Sequence, residues 1–221
     1  MPPDRRPPWT TLSALPRLDP DVALVRQFRA TASPAVFEIL FRKYQSTVFS
    51  VVSRMVNGED AYDLTQEVFV RALRSLPSFK GDCKFRTWLL TIARNVCLNH
   101  LRDKKTRTGM DAGSLDEEPD TPGFIPEPSD PAADIAKIVE VRELQRTVDK
   151  VLALLTDEQR LLMTLRDLQG LSYEEIEQIM EMSPVNVKSK LHRARLAFKA
   201  KFQPYLAQIG PDIELGKGGG K

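Results

Sequence analysis

The chain of 221 residues has few of the groups that most catalysis needs: two cysteines, two histidines, and aromatics at only 7%. Cys83 and Cys97 are too few for a disulfide scaffold and lack a paired metal-ligand spacing, so neither a stapled secreted fold nor a zinc module is expected. Cys97 reads as core, while Cys83, in a polar loop beside Lys80 and Lys84, is a candidate reactive thiol. No window approaches 18 uninterrupted apolar residues, so no direct membrane insertion is expected. The N-terminal MPPDRRPPWT has no apolar signal core, which predicts a cytoplasmic protein. The motifs GxxxxGKS/T, HExxH, GxSxG and the Gly-rich dinucleotide loop are all missing. His100 and His192 lie on basic helical stretches, where facing solvent or touching phosphate suits them better than catalysis. The chain therefore reads as no enzyme, with no cofactor, no metal and no small-molecule substrate. No strand pattern of consequence and no internal repeat is present.

A net charge of +2 conceals a strong partition. Residues 79–108 hold eight bases against two acids, a local +6. Residues 109–140 hold nine acids against Lys137 alone, a local −8. Residues 184–202 hold six bases and no acid. Two cationic modules flank an anionic connector. Clustered bases on helices suit a polyphosphate backbone, where each neutralised phosphate releases counterions. Either cluster alone could be a solvated helix face; two in one chain favour nucleic acid.

Hydrophobic periodicity makes both modules helical. Residues 1–18, rich in Pro and Arg, read as a disordered extension. Asp19-Pro20 and Ser33-Pro34 each place a cap residue before proline at the first helical position. Phe37, Leu40, Phe41, Tyr44, Val48, Val51 and Met55 then recur at steps of three or four, until Asn57-Gly58 breaks the run. A third helix carries Leu64, Phe69, Ala72, Leu73 and Leu76 as its apolar side and stops at Pro77. A fourth, from about 86 to 103, buries Trp88, Leu89, Ile92, Ala93, Val96 and Leu101. These predict one helical domain over 19–107. Residues 108–133 hold five prolines and seven acids with no base, so they read as a flexible linker able to span roughly 85 Å at about 3.3 Å per residue.

The second domain, 134–207, is again helical, and 208–221 is a flexible Gly-rich tail. Ile138, Val141, Leu144, Val148, Val151 and Leu155 form one stripe. Thr156 with Gln159, and Ser172 with Glu175, are capping boxes, the second reinforced by a Leu171–Ile176 staple. The helix between them carries Leu161, Leu162, Leu165 and Leu168 and ends at Gly170. After a tight connection at Glu181-Met182, Ser183-Pro184 opens a last helix with Val187, Leu191, Ala194 and Phe198 inward. The fold class expected is all-α: two small helical domains joined by a flexible acidic linker.

Two constellations carry the functional signal. The helix–turn–helix from 172 to 198 presents Asn186, Lys188, Ser189, Lys190 and Arg193 on its second helix, where amides and hydroxyls can read base edges and cations grip phosphate. The bland alternative is a helical hairpin whose exposed helix happens to be basic. In 79–107, bases interleave with Phe79, Phe85 and Trp88, a mixture that suits unpaired bases. Trp88 lies on the apolar side and is expected to pack; the polar loop 78–84 is the better cradle for an extruded base. An autonomous dimeric helix-turn-helix regulator would footprint a palindrome. A nucleic-acid-processing enzyme would need a metal or a nucleotide.

The segments DLTQEVFVRAL at 63–73, SFKGDCKFRTWLLTIARNVCLNHLR at 78–102, and LTDEQRLLMTLRDLQGLSYEEIEQIMEM with VKSKLHRAR across 155–195 resemble sigma-70-type factors of the extracytoplasmic-function group. The resemblance runs from about 20 to 205 in order and spacing. It implies a transcription initiation subunit that binds core RNA polymerase and promoter DNA, and it implies an anti-sigma partner. Asp63, Leu64, Gln66 and Glu67 would meet the polymerase clamp. Phe79, Lys80, Gly81, Asp82, Lys84, Arg86, Arg94, Asn95, Asn99 and Arg102 would hold the nontemplate strand of the −10 element. Asn186, Lys188, Ser189, Lys190 and Arg193 would read the −35 element. The acidic linker would occupy the path of nascent RNA.

Two departures from the family pattern stand out. Glu181 takes the place of the usual glycine in the helix-turn-helix turn, which must then accept a side chain. Leu90, Thr91 and Ile92 replace the aromatic pair that opens DNA in housekeeping relatives, which predicts weaker intrinsic strand separation.

Overall fold

The computed structural model describes residues 19–56, 58–108 and 135–209; the proposed extension, nearly all of the acidic linker and most of the tail lie outside them. Among the described residues every regular element is helical. The first half holds α1 (Pro20–Thr31), α2 (Pro34–Met55), α3 (Gly58–Ser75) and α4 (Phe85–Thr108). The second holds α5 (Ile135–Ala153), α6 (Asp157–Met163), α7 (Tyr173–Met180) and α8 (Pro184–Ile209).

Local chemistry explains where most helices begin. The Asp19 carboxylate caps α1 by accepting from the Asp21 amide at 3.2 Å, and its other oxygen accepts from the Phe85 amide at 2.6 Å. One side chain thus satisfies orphan donors at the starts of two helices. Both capping boxes form, Thr156 with Gln159 and Ser172 with Glu175. Ser33 starts α2 without a side-chain cap, relying on Pro34 in the first turn. A short 3-10 turn, Leu76–Ser78, absorbs the proline that ends α3. Between α6 and α7 the chain widens into a π segment, Thr164–Leu168, before Gly170 takes φ +66°. A π widening shifts the helix face at this point, and Leu168 turns outward rather than into the core.

α2 is the axis of the first half, with Leu40, Tyr44, Val48, Val51, Val52 and Met55 buried against α1, α3 and α4. Burying each such side chain contributes roughly 1.5–3 kcal/mol before entropy is counted. Asp21, also buried, is held by Lys43 and by the Tyr44 hydroxyl. Burial, and then the Asp21 carboxylate, raise the Tyr44 pKa, so the phenol stays protonated and donates. In the second half α8 supports α5, α6 and α7, with Val187, Leu191 and Ala194 inward and Phe198 half-buried. Leu73 and Val141, read from the pattern as core, are exposed instead. Each lies at the edge of its stripe, where the neighbouring helices do not reach.

The halves also pack on each other. α7 lies along α4, α5 and α6 lie against α2, and one continuous cluster of buried apolar side chains runs through both. At their junction Arg160 of α6 donates to the Leu152 and Ala153 carbonyls that end α5 and to the Leu155 carbonyl just beyond it, at 3.1, 2.8 and 3.3 Å. It also donates to the Met55 carbonyl ending α2, at 3.2 Å. A cation at helix C-termini satisfies orphan carbonyls and opposes the dipole. Arg54 of α2 stands 3.1 Å from Asp149 of α5, and Gln169 donates to the Ser50 hydroxyl at 3.0 Å.

Candidate nucleic-acid interface

The two basic helices of the sequence become α4 and α8, and their cations meet different surroundings. On α8, Asn186, Lys188, Ser189 and Arg193 are exposed along one side, opposite Val187, Leu191 and Ala194. The Arg193 guanidinium donates to the Ser189 hydroxyl at 3.2 Å, which orders both. Lys190 is half-buried and paired with Glu158 of α6, so it braces the helix as well as lending charge. Lys188 and Arg166 both sit over the Tyr173 ring, 5.8 and 4.6 Å from its centre. Arg195 is bound by Asp167, which together with burial's opposing effect leaves its pKa raised. Tyr173, Arg166 and Val185, the last 75% exposed, were not singled out in the sequence; they extend the open surface around Lys188 and Ser189.

The turn between α7 and α8 accommodates Glu181 in the left-handed region, φ +54°, with its amide donating to the Glu177 carbonyl. A glycine would adopt this more easily by about 1–2 kcal/mol. The side chain that makes the turn costly reaches across to α4.

α4 and the loop before it present a different picture. Phe79, expected to meet a base, is only 5% exposed and packs against Phe85 and Trp88 with ring centres 5.9 and 5.1 Å apart. This corrects its assignment: it anchors the loop from inside and has no free face for stacking. Lys80 and Asp82 are exposed, and Gly81 turns the loop at φ +83°, a conformation that excludes most side chains. Lys84, Arg86 and Arg94 are all engaged by the second half. Lys84 Nζ donates to Glu175 Oε1 at 2.8 Å. Arg86 donates to the Gln169 carbonyl at 2.9 Å and to its side-chain oxygen at 3.1 Å. Arg94 donates to the Ile179 carbonyl and to Glu181 Oε1, each at 3.0 Å. Lys105, lower on the helix, pairs with Asp157 at 2.8 Å. Asn95, Asn99 and Arg102 form an open stripe at steps of four and three, Arg102 donating to the Asn99 side-chain oxygen at 3.3 Å.

Burial raises the Glu175 pKa, but the Lys84 hydrogen bond, the Ser172 amide and the Lys84 and Arg86 charges outweigh it and leave the carboxyl below its usual value. Beside this pair a cavity of about 380 Å³ opens between α1, the 79–84 loop and α7, lined by Arg26, Lys80, Gly81, Thr87 and Glu175 among others. The buried Thr87 hydroxyl in its wall and the buried Nε of Arg94 have no partner among the described residues. Burial, then the Asp82 charge, raise the Cys83 pKa, and burial pushes Cys97 up to about 12. The nearby lysines therefore do not lower the Cys83 pKa.

On α3, Asp63 and Gln66 are exposed and Glu67 is half-buried beside Arg71. Leu64 is 8% exposed and faces the core, so it cannot touch a partner directly and supports the surface from below. The sequence reading missed Tyr62 and Val70, both exposed, which with Gln66 and Leu73 make one outward stripe at steps of four, four and three. Among the described residues no cluster of His, Cys, Asp or Glu could hold a metal, and no helix is long and apolar enough to cross a membrane.

Two family models match the chain, Sigma-70 region 2 over residues 40–107 and Sigma-70 region 4 over residues 145–198. The chain is 38% identical over 172 residues to the ECF RNA polymerase sigma-E factor of Escherichia coli K12, covering 77% of this chain and 88% of that protein. The sigma-E factor of Haemophilus influenzae is 34% identical over 197 residues, covering 84% and 97%. Two solved structures share the fold. The sigma factor RpoE of Bartonella quintana, in complex with the anti-sigma factor NepR, is 20% identical with a TM-score of 0.57, covering 76% of this chain and 96% of that one. CnrH, in complex with the cytosolic domain of CnrY, is 22% identical with a TM-score of 0.58, covering 83% and 97%.

Proposed function

The chain belongs to the extracytoplasmic-function group of the sigma-70 family and is an RNA polymerase sigma factor, and from that premise we propose how its residues divide the work. α8 enters the major groove of the upstream element, Asn186, Lys188 and Ser189 leading and Arg193 and Lys190 holding register on phosphate. Its open polar side supports this assignment. The 80–84 loop with Arg86, Arg94, Asn95, Asn99 and Arg102 takes the separated nontemplate strand of the downstream element. Gly81 lets the loop backbone close around an extruded base, and Phe79 fixes the loop to the core.

The α3 stripe of Tyr62, Asp63, Gln66, Val70 and Leu73 docks on core polymerase, since an exposed apolar row rimmed by polar groups suits a protein partner. An anti-sigma protein is a further partner, as NepR is for the Bartonella quintana relative. The chain performs no chemistry itself and works in the cytoplasm, lending the polymerase two weak half-sites whose linkage raises their effective concentration.

The single observation that carries this reading is the pair of basic helices, matched to the two separate sigma-70 regions. Run-off transcription on genomic fragments with purified core enzyme tests it. The intact chain should create discrete start sites, and Lys188→Ala or Lys84→Ala should cut their yield at least about fivefold, the loss of one charged contact. Unchanged start-site choice on adding the chain would refute it.

A further inference from the structure

Residues 80–84 bridge two buried phenylalanines, Phe79 and Phe85, whose ring centres lie 5.9 Å apart, edge to face. Phe85 opens α4, and the residue before it is Lys84, whose carbonyl accepts from the Trp88 amide at 3.1 Å. That is the capping position, where Ser, Thr, Asp or Asn would lend a side-chain oxygen to the orphan amides. Lysine has no acceptor to lend, and its charge opposes the positive end of the helix dipole. The acceptor comes instead from 66 residues earlier: Asp19 Oδ2 accepts from the Phe85 amide at 2.6 Å. The other oxygen, Oδ1, accepts from the Asp21 amide at the start of α1. α1 is itself locked in place, since the buried Asp21 is held by Lys43 and the Tyr44 hydroxyl of α2. The Tyr44 ring in turn lies 5.4 Å from that of Phe85. α1 also flanks the loop at Gly81, where an added Cβ would meet Val22 Cγ1 at 4.0 Å. Asp19, Asp21 and Val22 all precede residue 40, where the match to Sigma-70 region 2 begins.

Taking the 80–84 loop as the seat of the separated strand, we propose that Asp19 is a positioning residue for strand capture. By capping α4 from another helix it frees the capping position for Lys84 and fixes where the loop and its cation meet the strand. A Ser or Asp at position 84 would turn its side chain back onto the helix amides. Lys84 projects outward, its side chain 62% exposed, and the amide it leaves unserved is taken by Asp19. The loop is then pinned at both ends, by rings at Phe79 and by a carboxylate at Phe85. A loop held in place before its ligand arrives loses less freedom on binding.

The test uses the full chain with core polymerase on a start-site fragment found by run-off transcription. Asp19→Ser keeps a good cap for α1, but its single short oxygen cannot also reach the Phe85 amide; Asp19→Ala serves neither helix. Footprinting reads the upstream element, and permanganate oxidation of unpaired thymines reads the melted downstream strand in the same complexes. Both variants should keep the upstream protection and lose at least about fivefold of the thymine reactivity, as removal of a hydrogen bond to a charged group implies. Urea unfolding should place Asp19→Ser between the parent and Asp19→Ala, whereas strand capture by the two variants should be equally poor. A merely structural role would make capture follow stability. Parent-like thymine reactivity in Asp19→Ser overturns the positioning role, because the cap of α1 then suffices. Equal loss of upstream protection and thymine reactivity overturns it as well, since the residue would then be holding the whole chain together. Parent-like thymine reactivity in Lys84→Ala overturns the loop assignment itself, and the role of Asp19 with it.

Discussion

α4 and α8 are the two longest described helices, 24 and 26 residues, and both are rich in bases, yet Arg86 and Arg94 of α4 are covered while Lys188 and Arg193 of α8 are exposed. On α8 Asn186, Lys188, Ser189 and Arg193 project away from the apolar side that packs on α5, α6 and α7, so folding leaves them exposed, while Lys190 and Arg195 pair with Glu158 and Asp167. On α4 the apolar side packs on α2 and α3, and a neighbouring side carrying Arg86 and Arg94 meets the acidic α7. The difference comes from the partner helix: basic composition alone does not make a surface available.

The largest expected effect comes from Arg160, where the two halves join. Arg160→Met leaves four carbonyls, those of Met55, Leu152, Ala153 and Leu155, without their donor. About 2–4 kcal/mol should be lost in urea unfolding, with the single transition splitting in two as the halves uncouple. A loss below about 0.5 kcal/mol, the scale of ordinary surface substitutions, would mean the halves are joined elsewhere.

Next in size is the behaviour of the two lysines. In the free chain Lys188→Ala should weaken duplex DNA binding and lower the salt slope by about one, whereas Lys84→Ala should leave both nearly unchanged because Glu175 already holds Nζ. With core polymerase present both should matter. Equal effects in the free chain, measured by fluorescence anisotropy across salt, would erase the contrast between the helices.

Acid should weaken it, by less than about 1 kcal/mol because the pair is partly exposed. Glu175 titrates below its ordinary 4.5 in the folded chain, so its contribution is complete above that value and is lost as pH falls through the lower folded one. The Lys84–Glu175 separation, followed by paramagnetic relaxation between the halves, should widen below pH 4.5 and stay constant from 5 to 8. The smallest effect concerns the thiols: Cys83 should react with a maleimide more slowly than a free cysteine at neutral pH, and Cys97 more slowly still, as their raised pKa values require.

Features written in a few adjacent residues were legible in the sequence. The caps at Asp19, Thr156 and Ser172 and the left-handed Gly170 each depend on a local hydrogen bond or a φ angle, so spacing alone identifies them. The exposed recognition positions of α8 were legible too, because they stand opposite a clean apolar stripe. Burial at stripe edges was not: Phe79 turned inward through rings six and nine residues on, and Leu73, Val141 and Leu168 turned outward where no helix covers them. Arg160 was invisible because its partners are backbone carbonyls of three other segments. The covering of α4 had one readable trace, the acids of YEEIEQIME set against the bases of 84–105, but charge complementarity does not say which segments meet.

Chemical footprinting on a start-site fragment found by run-off transcription is the most direct test of the central claim, that one chain reads two separate elements through two basic helices seated on polymerase. With core enzyme, two dissimilar protected stretches about two helical turns apart should appear, the upstream one lost in Lys188→Ala and the melted downstream one in Lys84→Ala. A palindromic footprint produced by the chain alone, unaffected by core enzyme, would contradict it.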